Sequence, residues 1–439
     1  MGRLLFVSSA LFAVACTKAN PEAACGAGGT CTNAAFPICD SDGMLSGSAG
    51  ACLAPCVPGT IGACEGSDTA LVCNTSADGY DMASCPFGCD EASDTCMTKC
   101  ATNGQCSSGI CKPNGDCAQP SEITFTSPSG SPSSDCSMAA PCTLERALGS
   151  SLSGVQYVLL RAGTYTLSAT QSLVGTRYLV GAGKSSTTIT TSATGPIFDF
   201  SSAGEITFDS LAITGAKGNP PNKNDGIAIN IPQNAPGTRT LHVLDSLFTN
   251  NGDGPGGAAI SGANCTVEIR RTIFDGNYDG VHLESASTTI DRCAFISNVN
   301  TGLIVSQAYS VTNSYFARSQ EGFEAFSPIS PSVIAFNTIV DNAEGVLCLS
   351  NPPVAFENTI VARNNQNDFE TCTTPGSIIV DNPTGLQFIH GDSPPYDYHI
   401  GAGSTAIDAA QGSNIPAADY DGDPRPNGNA ADVGADEAF

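Results

Sequence analysis

Seven residues between positions 270 and 292 are the best equipped for chemistry in this chain: Arg270, Arg271, Asp275, Asp279, His282, Asp291 and Arg292. Carboxylates beside a guanidinium or imidazole can hold a divalent cation or act as a general base. A second acidic run, Asp419-Tyr420-Asp421-Gly422-Asp423, alternates carboxylates around a glycine as half of a calcium loop does. The closing Glu of a full loop is missing, and a turn in which Arg425 pairs with Asp432 or Glu437 explains the same residues more simply. Asp419, Asp421 and Asp423 are thus weak metal candidates. Calcium is an option, and no cofactor is required. Arg271, Asp275, Asp279, His282 and Arg292 are likewise weak catalytic candidates. A repeat that begins at residue 206 sets Arg270 beside Asp291 and Arg271 beside Arg292, with Asp245 and Asn313 flanking the second pair, so a solvated face of ion pairs is the plainer account.

Cysteine is the other reactive residue, with 21 in 439 positions. Fourteen lie between Cys25 and Cys117, two are Cys136 and Cys142, and four are Cys265, Cys293, Cys348 and Cys372. The remaining one, Cys16, follows a positive start at Arg3, an apolar stretch from Leu4 to Ala15 and the small residues Ala13-Val14-Ala15. That is the pattern of an export signal. Cys16 resembles the lipid-bearing cysteine of a bacterial lipobox, although Ala13 stands where Leu is usual; cleavage and release is the competing outcome. Without Cys16 every segment holds an even number of cysteines. Parity predicts an oxidising compartment and all the others in disulfides, Cys136 with Cys142 among them. Zinc is disfavoured in the first cluster, which lacks matched CxxC pairs and contains none of the four His.

Acidic residues outnumber basic ones 42 to 17, for a net charge of −25. Such a surface repels nucleic acid and anionic headgroups, and also anionic polysaccharide unless cations bridge it. No apolar run after residue 16 reaches the ~18 residues that span a bilayer. Membrane contact is expected only through an N-terminal lipid.

These residues must be positioned by distinct elements. After the signal at 1–16, residues 17–117 hold too few long apolar side chains for a hydrophobic core, so disulfides must replace it. Residues 118–135 (AQPSEITFTSPSGSPSSD) are rich in Ser, Pro and Gly and read as a flexible linker. Thr143 to Leu148 looks like a short amphipathic helix, placed to cap the C-terminal two thirds of the chain. From residue 206 the chain repeats. Aligning Ser246, Thr272, Cys293, Ser314, Thr338 and Thr359 gives separations of 26, 21, 21, 24 and 21. Two positions later stand Phe248, Phe274, Phe295, Phe316, Val340 and Val361. Three positions earlier stand Val243, Ile269, Ile290, Val311, Ala335 and Phe356, and five earlier Leu241, Val267, Thr288, Tyr309, Val333 and Val354. Like stacks on like, with a recurring glycine in each repeat (Gly257, Gly280, Gly302, Gly322, Gly345). A repeat of this length is too short for a strand and a crossover helix, and strands recurring on one face must run parallel. The fold class is therefore all-β, a single-stranded parallel β-helix solenoid over 136–395, with a capping tail at 396–439 and a small disulfide-rich irregular domain in front. The Phe column belongs to the core rather than to a sugar-stacking strip.

The chain at this point resembles exported bacterial surface proteins with the right-handed, pectin-lyase-like parallel β-helix. The residues that carry the resemblance are Pro141-Cys142-Thr143, Arg161-Ala162-Gly163-Thr164-Tyr165, the coil repeats, and a tail with Asp397-Tyr398-His399-Ile400, Ser404-Thr405-Ala406-Ile407-Asp408, Asp421-Gly422-Asp423-Pro424-Arg425-Pro426 and Asp432-Val433-Gly434-Ala435-Asp436-Glu437. The tail is similar to the choice-of-anchor Q type. Uronate-cleaving members use calcium-binding carboxylates with an Arg or Lys base, and hydrolases use paired Asp with Gly-x-His-Gly and Arg-x-Lys. Here no Lys follows Lys223, and the one His-Gly is His390-Gly391. The resemblance alone leaves function open, since the fold hosts lyases, hydrolases, esterases and adhesins; the missing signatures favour a non-catalytic, monomeric surface protein meeting an extracellular glycan or envelope component, and the alternative is a diverged polysaccharide lyase or hydrolase acting on uronate-type glycans.

Overall fold

Alternating inward apolar residues, repeated every coil, give each strand one face to bury and a neighbour on either side to pair with. In the computed structural model the described residues are 25–438, apart from 27–28, 34, 47, 91–92, 150–155, 222–224, 329–331, 350–352, 370, 382, 392–393, 395 and 413. The export segment and Cys16 lie outside them. Contacts divide the chain into two units, Met1–Ala118 and Gln119–Phe439.

The first unit is held by seven disulfides: 25–39, 31–52, 56–73, 64–89, 85–96, 100–111 and 106–117. Its largest sheet has three short antiparallel strands, Ile61–Cys64, Thr69–Cys73 and Tyr80–Ser84. Its buried cluster is Cys64, Ala70, Cys85 and Cys89, so half-cystines stand where aliphatic side chains would be.

The second unit is a parallel β-helix. One sheet stacks ten short strands, from Gly163–Leu167 to Ile378–Val380, and longer strands wrap the remaining sides. Phe248, Phe274, Phe295 and Phe316 lie fully buried in register, with ring centroids 5.2, 4.8 and 4.9 Å apart. A buried asparagine ladder runs beside them. Asn277 Nδ2 donates to Phe248 O at 3.0 Å, while its own backbone N–H donates to Asn298 Oδ1 at 3.1 Å, so the amides satisfy the turn that they occupy. The recurring glycine has a steric cause. A Cβ on Gly280, Gly302 or Gly322 would meet a carbonyl oxygen of the next coil at 2.3–2.6 Å. The only α-helix among the described residues is Leu144–Leu148, capped by the Thr143 hydroxyl, with Leu144, Ala147 and Leu148 buried in the core; the Cys136–Cys142 disulfide precedes it.

Four expectations need correction. Residues 118–135 are not a linker, because Ile123–Ser131 is a strand that pairs in parallel with Gln156–Leu160 and buries Ile123 and Phe125. Alternation of apolar and hydroxyl residues outweighs the Ser and Pro content there. One coil is also displaced by a residue: Phe316 is paired with Ile339, Ser314 stands beside Asn337, and Val311 is paired with Ile334. A one-residue slip exchanges faces, so Val340 and Ala335 point away from the Phe column. Cysteine parity fails too. Cys348–Cys372 is a disulfide, whereas Cys265 and Cys293 are free and buried. They occupy different columns, Cys265 next to the strand Thr266–Arg270 and Cys293 in the serine and threonine column, so stacking cannot bring them together. Finally, the tail does not end the solenoid as a cap. Tyr398, Ile400, Ala406, Val433 and Ala435 pack on Ala294, Tyr315, Ala317, Val340 and Ile360, the outward side chains of the ten-stranded sheet.

Candidate functional site

The seven charged residues are separated by the fold into three places. Arg271 and Arg292 occupy a turn column with left-handed backbone (φ 49° and 55°), shared with Asp245 and Asn313. Arg271 makes a two-pronged ion pair with Asp245, Nε to Oδ1 and Nη2 to Oδ2, both 2.7 Å. Arg292 Nε donates to Asp291 at 3.2 Å, and Asn313 Nδ2 donates to the other oxygen of Asp291 at 3.0 Å. Arg270 is in register with Asp291, as expected. Asp275 is exposed at the end of Ile273–Asp275 in the ten-stranded sheet. Asp279 and His282 come together at the start of Asp279–Asp291, with His282 Nδ1 4.0 Å from an oxygen of the buried Asp279.

Around these two the stacking assembles partners that sequence reasoning missed. Register carries Asp279 up the coils to Thr301, Glu321 and Glu344, and His282 to Ile304 and Glu324. Asp279 is buried and accepts from Asn300 Nδ2 at 2.8 Å and from the Thr301 amide at 3.1 Å. Burial still pushes its carboxyl above the usual range, and the charge of Glu321 adds to this. The Thr301 hydroxyl donates to Glu321 at 2.9 Å, and Gln366 Nε2 to Glu344 at 3.1 Å. Glu324 stands among these with no cationic partner among the described residues. Burial first, then the negative charges of Glu321, Asp279 and Glu344, push its carboxyl up to about 7. A groove of about 420 Å³ opens over this face, lined by His282, Glu284, Ile304, Ser306, Glu324 and Phe326 among others, with no Arg or Lys in its wall among the described residues. It offers carboxylate acceptors, an imidazole 3.4 Å from Glu284, and the apolar surface of Ile304 and Phe326. A carboxyl that is half protonated near neutral pH can donate or accept a proton. The signal that would have revealed Glu321 and Glu324 was the outward column, which repeats at the same period as the core columns.

The acidic run of the tail is divided in a similar way. Asp419 is fully buried; its Oδ1 accepts the amides of Gly422 and Asp423 at 2.9 and 2.8 Å, and its Oδ2 accepts that of Glu437 at 2.9 Å. It closes a turn and cannot share an ion with Asp421 and Asp423 in half-loop fashion. Arg425 pairs with Glu437 at 3.3 Å, both side chains inaccessible to solvent, and also donates to the carbonyls of Asp432 and Gly434.

These observations define the class: an all-β parallel β-helix protein carrying a disulfide-rich N-terminal unit. A family model for the right handed beta helix region matches residues 256–400. Similar solved structures include pectate lyase Pel9A (15% identity, 72% of this chain and 96% of that one, TM-score 0.40) and a rhamnogalacturonan lyase (10%, 65% and 97%, TM-score 0.38). A GH136 lacto-N-biosidase from Eubacterium ramulus is another (11%, 60% and 67%, TM-score 0.33). No curated protein matches the chain.

Proposed function

We propose that this is an exported surface protein, lipid-anchored at Cys16, whose β-helix holds a neutral or amino-substituted extracellular glycan in the Glu324 groove. The observation that carries this reading is the groove wall itself, with Glu324, Glu284 and His282 set over Ile304 and Phe326 and no Arg or Lys among the described residues. Carboxylates accept hydrogen bonds from sugar hydroxyls and attract an ammonium group, while repelling the carboxylates of uronates. A uronate lyase needs a free basic side chain at its site, and Arg271 and Arg292 are held by Asp245 and Asp291. The nine disulfides among the described residues favour an oxidising compartment.

A second reading rests on Glu324 alone. A carboxyl at about 7 among other acidic side chains is suited to a general acid in glycoside hydrolysis. One experiment addresses both. Neutral, amino-sugar and uronate oligosaccharides are titrated against wild type and Glu324→Gln, and reducing ends are counted after long incubation. Retention of amino or neutral sugars, weakened in the variant and without new reducing ends, is expected. New reducing ends made by wild type and not by Glu324→Gln would establish the hydrolase. Binding of uronates alone would refute both.

A further inference from the structure

Where the tail crosses the ten-stranded sheet, a second cavity of about 280 Å³ lies between Tyr315 and Arg318 of the coils and Tyr396, His399 and Tyr420 of the tail. Beside it His399, Asp421 and Asp436 each present one ligand atom, and the three atoms lie within 4.8 Å of one another. Around them the imidazole is already oriented. Its Nδ1 is hydrogen-bonded to Asp397, whose Oδ1 also accepts the His399 amide at 3.1 Å. Nε2 lies 2.7 Å from Asp421 Oδ2, a contact that is filled either by a second ring proton donated to that carboxylate or by a cation shared with it. A carboxylate behind a histidine is the usual outer shell of a metal-bound imidazole. Asp436, 6% exposed, is fixed by the Ile400 amide on its Oδ2 at 2.8 Å.

Tyr315 gives an independent indication. It is 5% exposed, and its hydroxyl has no hydrogen-bond partner among the described residues. Its ring lies 5.7 Å from that of His399 and edge-on to Tyr420 at 4.7 Å, and the charges of Asp436, Asp421 and Asp397 all act on it. A buried hydroxyl in the wall of this cavity, bonded to nothing among the described residues, calls for a further partner. Water held by an ion would be one.

We propose that His399, Asp421 and Asp436 bind one divalent transition-metal ion, with Asp397 orienting the imidazole and Tyr315 bonding to a water on the ion. The mixed imidazole and carboxylate donors suit Zn²⁺ and separate this site from an all-oxygen calcium loop at Asp419, Asp421 and Asp423. Tetrahedral bonds of about 2.0–2.2 Å would set neighbouring ligand atoms roughly 3.3–3.6 Å apart, so the His399 and Asp421 contact, now 2.7 Å, opens by about 0.6–0.9 Å. The ion would tie together the strand Asp397–Ile400, the turn at Asp421 and the chain end at Asp436. The last cysteine is Cys372, so no disulfide can do this.

The test uses the full mature chain, stripped with EDTA and titrated calorimetrically with ZnCl₂, then with CoCl₂ while its visible absorption is recorded. One equivalent of Zn²⁺ should bind and raise the melting temperature. Asp421→Asn and His399→Gln should weaken binding by more than about 100-fold, and Asp397→Asn by about 10–100-fold. Tyr315→Phe should weaken it by about tenfold without lowering the melting temperature of the metal-free protein. Asp421, with a side chain 48% exposed, is the variant least prone to misfold and decides the matter if His399→Gln does not fold. The proposal is overturned if wild type binds no Zn²⁺, if Asp421→Asn binds it equally well, or if binding vanishes in the variant Cys265→Ala/Cys293→Ala.

Discussion

Replacing Glu324 by Gln keeps the size of the side chain and removes only its ionisation. The native carboxyl lies at about 7 against an ordinary value of 4.5. Between those two pH values the folded protein keeps a proton that the unfolded chain has released. Stability therefore falls as pH rises through this window, and the full penalty is present above the native pKa. A gap of about 2.5 pH units corresponds to roughly 3.4 kcal/mol for a fully shielded group. Glu324 is half-buried, and solvent screening reduces this to about 1–2 kcal/mol. Glu324→Gln should accordingly be about 1–2 kcal/mol more stable than wild type at pH 8 and equal to it at pH 4. Guanidinium unfolding at several pH values, with disulfides intact and followed by circular dichroism of the β-helix, measures the difference directly. A difference that does not vary with pH would mean that Glu324 is not held protonated by its neighbours. Lower stability at pH 8 would mean that its charge has a partner.

Phe295→Ala should cost about 3–5 kcal/mol in the same unfolding assay, since Phe274 and Phe316 bound the cavity at 4.8 and 4.9 Å and cannot close it independently. Arg271→Ala should cost no more than about 1 kcal/mol, because its pair with Asp245 is 39% and 42% exposed, and should leave glycan binding unchanged. Arg425→Ala should cost about 3–5 kcal/mol by leaving the Glu437 carboxylate buried without its cation. Thiol labelling should find no reactive cysteine in the native protein and two, Cys265 and Cys293, after unfolding in denaturant without reductant; none in either state would restore the full disulfide set.

The core was legible because a buried column reports itself twice, by residue type and by period. Phe248 to Phe316 needed no structure to be recognised. Register was ambiguous where one insertion left two adjacent apolar residues, Ile339 and Val340, either of which fitted the column. Nothing local distinguishes them; the tail that covers Val340 does. The strand Ile123–Ser131 was hidden by composition, because Ser and Pro argue for a linker only when no sheet edge is waiting to pair. The site was less legible than the core for a further reason. Asp279 and His282 are three residues apart, but Glu321 and Glu324 reach them only through coil stacking, and carboxylates on an acidic surface do not stand out. Parity of cysteines, for its part, counts thiols and says nothing about columns.

The position of the groove is tied to the course of the tail. A β-helix presents an outward face on each sheet, and an apolar outward face must be covered. On the ten-stranded sheet that face carries Ala294, Tyr315, Ala317, Val340 and Ile360, and the tail buries them. On the longer strands the outward positions include His282, Ile304 and Glu324, and the groove opens there, with no tail residue in its wall among the described residues. The two faces thus divide the work, one fastened by the tail and by the His399 cluster, the other left to solvent. A ligand therefore has access to an ordered row of side chains whose spacing is that of the strands, ~4.8 Å per coil. Truncating the tail should accordingly expose apolar surface and lower stability before it changes anything in the groove.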